Sequence, residues 1–425
     1  MGGRRMREHN WAGNLEFAAE RLSTPRTVDE VRALVREAHP GSLRPLGTRH
    51  SFSPVADTPG TLVSSGGFAD PADVVIAEAR TSVRVPAGIR YGELARVLEA
   101  QGLALANLAS LPHISVAGAV ATGTHGSGVG NGSLATSVRA LELVDGTGEL
   151  VALGRGDVGF DGAVVSLGAL GVVVAFELDV EPSFAVAQTV YRDLPLALVL
   201  EHFDEVTSLG YSVSLFSSWS DPETVDQLWL KRRVDRDPEP PSGVLGSRPS
   251  PVEMHPIAGV DPVNCTPQLG VAGPWLDRLP HFRLEFTPSA GDELQTEYLL
   301  PRTHAVEAVR AVRGLAPAIR PVLQVSELRE IAADELWLSG AFGTDAVALH
   351  FTWLPDQPAV DALLPRLEDR LLPLGARPHW GKRFHADVDV LEGLYPRLAD
   401  FRELARTHDP RGVFVNDFLR AKLGL

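Results

Sequence analysis

Two short stretches in the second half of the chain set chemistry-bearing side chains on common strand faces. In Gln324–Val325–Ser326–Glu327–Leu328–Arg329, a period of two puts Glu327 and Arg329 on one side and Leu328 on the other. In Leu349–His350–Phe351–Thr352–Trp353, the same alternation groups His350 with Thr352 and turns the three apolar residues away. If the two strands are neighbours, a carboxylate, a guanidinium, an imidazole and a hydroxyl share one surface. Such a surface suits a polyhydroxylated ligand, whose hydroxyls both donate and accept. The plainer alternative is the solvated face of a half-buried sheet. A further candidate is Lys382, set in Pro378–His379–Trp380–Gly381–Lys382 between an aromatic and a tight turn. Of 39 basic residues only Lys231, Lys382 and Lys422 are lysines. An ammonium is a compact point charge that a planar guanidinium does not everywhere replace, so each of the three is worth a question.

The first half carries a different kind of signal. Residues 100 to 138 contain no Asp, Glu, Lys or Arg, and the run Ser110–Ser133 packs Gly118, Gly123, Gly126, Gly128, Gly130 and Gly132 close together. A diphosphate bound without nearby cations must be met by main-chain N–H groups, which glycine allows to turn inward. Ser115, Thr122, Thr124 and Ser127 add hydroxyls; a flexible loop or a tight helix–strand corner is the simpler reading. Gly154–Gly159 fits G-x-G-x-x-G, but Asp157 would face the pyrophosphate and no clear amphipathic helix follows, so a Rossmann site is not expected. Walker A, zincin and nucleophile-elbow patterns are absent. Gly47–Thr48–Arg49–His50–Ser51–Phe52 is a turn directly after a strand, and its histidine alone proves nothing.

These residues need elements to hold them. Thr27–Ala38 reads as a helix behind a Thr cap with Glu30 at the third position, Ser42–Leu46 and Ser82–Pro86 as strands, and Tyr91–Gln101 as a helix closed by Gly102. Strand-like Ala140–Val144 and Glu149–Leu153 flank a Gly146–Thr147–Gly148 turn, and Val172–Val180 reads as a buried strand. From Pro182 onward, period-2 segments at Ser212–Trp219, Gln227–Val234, Pro280–Thr287, Leu323–Arg329 and Ala346–Trp353 alternate with helices at His304–Ala316 and Ala359–Leu372. An antiparallel sheet with helices on one face is expected, with Asp237–Pro251 as a surface loop. The tail from Arg377 is too short for its own core and should dock back on an earlier part of the chain.

The chain has 425 residues, enough for two or three domains, and a net charge of −15. That sign disfavours nucleic acid and anionic lipid as partners. One cysteine, Cys265, excludes an intrachain disulfide, and no Cys/His cluster has zinc spacing, so no metal is expected. The basic N-terminus lacks the apolar stretch of a signal peptide and no run of about 18 apolar residues occurs, which predicts a cytoplasmic protein.

SLPHISVAGAVATGTHGSGVGNGSLA, with GTRHSF upstream, closely resembles the bacterial alditol oxidases, within the flavoprotein superfamily of vanillyl-alcohol oxidase and p-cresol methylhydroxylase. NWAGN at 10–14, VVSLGALGVV at 164–173, YSVSLF at 211–216, HFRLEFTPS at 281–289, ARPHWGK at 376–382, YPRLADF at 395–401 and DPRGVFVN at 409–416 extend the resemblance along nearly the whole chain. It implies an α+β fold with a flavin domain of the p-cresol methylhydroxylase type at 1–183. A substrate (cap) domain on a large antiparallel sheet would span 184–376, and a segment returning to the flavin domain 377–425. It implies FAD held covalently through His50, in a turn where Arg49 replaces the second glycine of the usual G-x-G-H-S. It also implies FAD contacts at Gly47, Thr48, Arg49, Ser51, Ser110, Ser115, Gly118, Thr122, Gly123, Thr124, His125, Gly171, Val172, Lys382 and Asn416. The implied substrate pocket is Ser110, Gln295, Glu327, Arg329, His350, Thr352 and Lys382, with Lys382, His350 and Arg329 catalytic. The expected reaction takes the terminal CH2OH of xylitol, sorbitol or a similar alditol to the aldehyde, with O2 as acceptor and H2O2 as product, in a monomer. An aldonolactone oxidase or dehydrogenase on the same fold is the alternative.

Overall fold

The computed structural model describes residues 8–286 and 293–425. Its first half opens with β1 (Arg21–Ser23), α1 (Val28–Glu37), β2 (Leu43–Leu46) and β3 (Thr61–Ser64), the strands pairing in parallel in the order β1-β3-β2. Thr27 Oγ1 accepts from Glu30 N at 3.3 Å, as its place before the apolar periodicity predicts. The Glu30 carboxylate reaches past the cap to Arg26 N at 2.6 Å, so the reciprocal bond closes one residue earlier than a capping box would have it. Downstream come β4 (Val75–Ile76), β5 (Ser82–Pro86), α2 (Tyr91–Ala100), the short β6 (Leu103–Ala104), α3 (Val116–Ala121), β7 (Val138–Asp145), β8 (Leu150–Gly154), α4 (Phe160–Val164), β9 (Gly171–Asp179) and β10 (Glu181–Pro182). Five of these strands form an antiparallel sheet in the order β4-β5-β9-β7-β8, and β6 pairs with β10. The Gly154–Gly159 stretch is a surface turn in which Asp157 Oδ2 accepts from Gly154 N at 2.7 Å. Its carboxylate is used locally, in keeping with the rejection of a dinucleotide site there.

The second half is one eight-stranded antiparallel sheet with helices against one face. It contains β11 (Ala185–Pro195), α5 (Leu196–Glu201), α6 (Phe203–Thr207), β12 (Ser212–Ser217), β13 (Thr224–Arg233), β14 (Gly273–Pro274), β15 (Leu294–Pro301), α7 (Ala305–Gly314), α8 (Ala316–Ile319), β16 (Leu323–Ile331), β17 (Ala346–Trp353) and α9 (Gln357–Leu371). With β18 (Arg377–Pro378) from the tail at its edge, the strand order is β14-β11-β13-β12-β16-β17-β15-β18. Tyr298, Leu328, Leu349, Phe351 and Trp353 pack against Val309, Val312, Val360, Leu363 and Leu367 of the helices in one apolar cluster. The alternation read from β16 and β17 therefore holds: one sheet face is sealed by helices and the other, carrying the polar residues, is turned toward the first half.

One expected strand is not formed. In the described part of Pro280–Thr287, the main-chain N–H groups of His281 and Phe282 both reach Ser110 O at 3.2 Å and Arg283 N reaches Asn264 O at 2.9 Å. The segment is bridged to loops on either side of it and has no strand partner beyond a single bridge from Phe282 to Cys265. Thr287 lies outside the described residues, as do the last three residues of the HFRLEFTPS block.

The tail docks back as its length requires. After β18, α10 (Val388–Leu394), α11 (Leu398–His408) and α12 (Asp417–Leu423) bring Trp380, Tyr395, Phe401 and Leu419 into the core of the first half. Buried Arg44 fastens the join, donating to Phe414 O at 2.8 Å and to Val55 O at 2.6 Å. Among the described residues no helix is long and apolar enough to cross a membrane.

Candidate active site

A cavity of about 840 Å³ lies between the halves. Its wall on the side of the first half begins where β2 ends. Gly47 passes so close to α3 that an added Cβ would stand 2.7 Å from Ser115 Oγ, which explains the glycine there. Thr48 Oγ1 accepts from Ser115 N at 3.2 Å and lies 3.0 Å from His50 Nδ1. Arg49 adopts φ +66°, the left-handed conformation that a glycine would take without strain. Its guanidinium pairs with Glu8, and its carbonyl accepts from Trp11 N at 2.8 Å. The Trp11 indole then stacks on the His50 ring, centroids 5.4 Å apart at 25°. Burial, with His113 and Arg90 adding to it, pushes His50 down to about 4, so the imidazole is neutral.

None of the main-chain N–H groups of Thr48 to Ser51 donates to a described residue, and these residues line the cavity. Ala109, Ser110, Gly118, Ala119, Thr122 and Thr124 continue the wall from the uncharged run. A row of unspent main-chain donors, uncharged neighbours and a neutral imidazole fit a planar cofactor carrying a diphosphate. The other residues implied by resemblance stand elsewhere. Ser115 is fully buried as the cap of α3, and Gly123, at φ +68°, forms the turn behind it. Gly171 and Val172 pair with Asp145 and Val144 in the middle sheet and do not line the cavity. Asn416 donates to the carbonyls of Val55 at 3.1 Å and Asp57 at 2.8 Å, which fixes the tail against the loop beyond His50.

The opposite surface is the polar face of β15, β17 and β16. Register places Glu297, His350 and Glu327 side by side in one row across the three strands, with Gln295 opposite Thr352 in the next. Lys382 enters from the tail, positioned by Arg383 N on Gln295 O and His379 N on Glu297 O, both at 2.9 Å. Glu297 is the hub, 1% exposed. Its carboxylate lies 2.7 Å from Lys382 Nζ, 2.9 Å from Arg329 Nη2, 3.4 Å from His125 Nε2 and 3.8 Å from His350 Nδ1. Burial would raise its pKa, but Lys382, His125 and Arg329 hold it well below the usual carboxylate range. Glu327 behaves alike: burial opposes ionisation, and Arg329 and His281 overcome it. His281 Nε2 lies 2.8 Å from Glu327 Oε1. Burial and Lys382 hold His350 far below its ordinary value, so its imidazole is neutral. Because Lys382 Nζ donates to His350 Nδ1 at 2.7 Å, the ring proton is on Nε2 and is given to Thr352 Oγ1 at 3.1 Å. On this surface the carboxylates of Glu297 and Glu327 thus balance the guanidinium of Arg329 and the ammonium of Lys382. Ser110 Oγ, from the wall, accepts from Arg329 Nη1 at 3.2 Å and links the two surfaces.

Glu327, Arg329, His350, Thr352, Gln295, Ser110 and Lys382 therefore converge, as does His125, whose ring faces Glu297 from the glycine run. Gln295 Nε2 donates to Glu293 at 2.6 Å and lines the same cavity. Sequence reasoning missed Glu297, His281 and Trp11. For Glu297 a signal existed: it is two residues beyond Gln295, hence on its face, and is the single charge in Leu294–Pro301. Among the described residues no group of three or more His, Cys, Asp or Glu is placed to hold a metal ion.

Residues 19–154 match a family described as an FAD binding domain, and residues 292–422 match one described as D-arabinono-1,4-lactone oxidase. The chain is 50% identical to an alditol oxidase from Streptomyces sp. over 412 residues, 97% of each protein. It is 28% identical to an L-gulono-1,4-lactone dehydrogenase from Mycobacterium tuberculosis over 98% of each. The crystal structure of cholesterol oxidase from B. sterolicum superposes with a TM-score of 0.75 over 98% of this chain and 96% of that one, at 15% identity. That last likeness is one of fold.

Proposed function

Because this chain belongs to the alditol oxidase family of FAD-dependent oxidoreductases, within the vanillyl-alcohol oxidase and p-cresol methylhydroxylase superfamily, we propose that it oxidises the terminal CH2OH of a polyol of the xylitol and sorbitol class to the aldehyde. The observation that carries this reading is the charge-balanced row Glu297–His350–Glu327, flanked by Arg329 and Lys382 and facing the wall that carries His50. Bound FAD would supply the two-electron acceptor for the carbon-bound hydrogen, with O2 as the final acceptor and H2O2 as the product. Gly47 to Ser51, Ser110, Gly118, Thr122 and Thr124 would hold it, and His50, neutral and braced by Trp11 and Thr48, is the point of covalent attachment.

The chain's own residues divide the remaining work. Arg329 and Lys382 polarise the reacting oxygen. A hydroxyl that takes over the Lys382 contact gives its proton to His350 Nδ1, whose neutral state keeps that lone pair free. Glu327, ionised and acceptor-only, receives the hydroxyl on the next carbon, with Thr352 beside it. A substrate lacking that hydroxyl would leave Glu327 short of a donor at ~1–3 kcal/mol, which selects polyols over simple alcohols.

Anaerobic mixing of the purified protein with xylitol, followed at the flavin absorption bands, tests the reading. Rapid bleaching is expected, faster than with a sugar γ-lactone; the reverse order would assign the site to lactones. Glu327→Ala and Arg329→Ala should abolish most turnover with the bound flavin spectrum intact. His50→Ala should bind FAD that acid precipitation releases into the supernatant, whereas the wild-type pellet stays yellow.

A further inference from the structure

Lys231 is one of three lysines in the chain and takes no part in the reaction described above. It lies on β13 and is buried, 1% exposed. Its Nζ lies 2.6 Å from Leu279 O, 3.1 Å from Pro280 O and 3.1 Å from His281 Nδ1. His281 in turn lies 2.8 Å from Glu327 through Nε2 and is wedged edge-on between Phe216 and Trp229, with centroids 5.6 and 5.2 Å away. We propose that Lys231 is a positioning residue for substrate recognition. Through His281, it fixes Glu327 as the acceptor for the hydroxyl beside the reacting carbon. This rests on the role given to Glu327 above.

The hydrogen positions follow from one end of the chain. Arg329 keeps Glu327 ionised, and a carboxylate only accepts, so His281 must present Nε2–H to it. Burial, reinforced by Lys231, pulls His281 down to about 4. Its ring is therefore neutral, and a proton on Nε2 leaves a lone pair on Nδ1. Lys231 is the donor facing that lone pair. Burial pulls Lys231 down to about 7, and its charged form has three N–H groups with three acceptors around them. A planar guanidinium cannot aim donors at three acceptors arranged around one point, which accounts for a lysine here in a chain whose other basic residues are nearly all arginine. Without Lys231, the other tautomer of His281 becomes accessible, and it would point a lone pair at Glu327.

The test compares 1,2-hexanediol with 1-hexanol, which differ only in the hydroxyl assigned to Glu327. In the holoenzyme, Lys231→Met is expected to lower the ratio of their kcat/KM values about tenfold, the loss falling on the diol. His281→Phe, which keeps the ring between Phe216 and Trp229, should compress the ratio similarly. The double variant should go no further than either single one, and Lys231→Arg should fail to restore the ratio. Equal losses on both substrates, or losses that multiply in the double variant, would overturn the proposal. If Lys231→Met does not yield folded flavoprotein, His281→Phe decides alone, and an unchanged ratio overturns it. Glu327→Gln is the separate control. A wild-type ratio that survives it would refute the reading of Glu327 itself, whereas sensitivity to Glu327→Gln but not to Lys231→Met would refute only the present inference.

Discussion

The two surfaces that face each other across the cavity are made by opposite means. The wall from Gly47–Ser51 and α3 presents main-chain donors, small hydroxyls, one neutral imidazole and a single guanidinium already paired with Glu8, and the run that continues it from residue 100 to 138 holds no Asp, Glu, Lys or Arg. The floor on β15, β16 and β17 presents side-chain charges, each held in its state by another. A main-chain surface depends on shape, so single side chains matter there chiefly where they set a turn. A charge-balanced surface depends on its members jointly, and removing one strands the rest in a medium that screens them poorly.

The contrast can be pressed from the floor upward. Glu297→Gln should be the most damaging change. It leaves Lys382 and Arg329 without their shared counter-charge, at about 3–5 kcal/mol of stability. Turnover should fall at least as far as for any single cation, read by thermal melting and by flavin reduction. Next comes Lys382→Met, with a loss of ~10²–10³ in kcat and the flavin content unchanged. If flavin is lost instead, Lys382 belongs to the wall's task and the division drawn here fails. Acid provides a third probe. His281 titrates near 4 and His379 near 3 in the fold, against 6.5 when free, so between those values the unfolded chain binds more protons. Stability is full above about pH 6.5 and falls as pH drops toward 4, by roughly 3 kcal/mol for His281 alone. A melting series from pH 7 to 4 should show this decline, and His281→Phe should make it shallower, with His50, His350 and His379 still contributing. The smallest effect is expected on the wall. Arg49→Gly removes left-handed strain of ~1 kcal/mol but also the Glu8 pair and some unfolded-state stiffness, so melting should shift little and flavin content should persist.

The parts of this arrangement that were legible in the sequence are those encoded locally. Alternation in β16 and β17 gave the shared face of Glu327, Arg329, His350 and Thr352, because Leu328, Leu349, Phe351 and Trp353 mark the side that the helices cover. The charge-free glycine run and the turn at His50 stood out for the same reason. Glu297 did not, because its meaning depends on β15 lying beside β17 with Glu297 opposite His350, a pairing between segments about fifty residues apart. His281 lies in a segment whose aromatic spacing imitates a strand while its main chain is bonded to neighbouring loops. Gly171, Val172 and Asn416, implied by resemblance as cofactor contacts, are placed in sheet and tail packing, which a motif match alone does not distinguish from contact.

The tail carries a consequence for biosynthesis. Among the described residues, the one ammonium in the cavity is delivered by Lys382, after β18 has closed the edge of the large sheet and before the final helices enter the first core. A nascent polypeptide still lacking that stretch leaves Glu297 with Arg329 as its one close cation and the edge of the large sheet without β18.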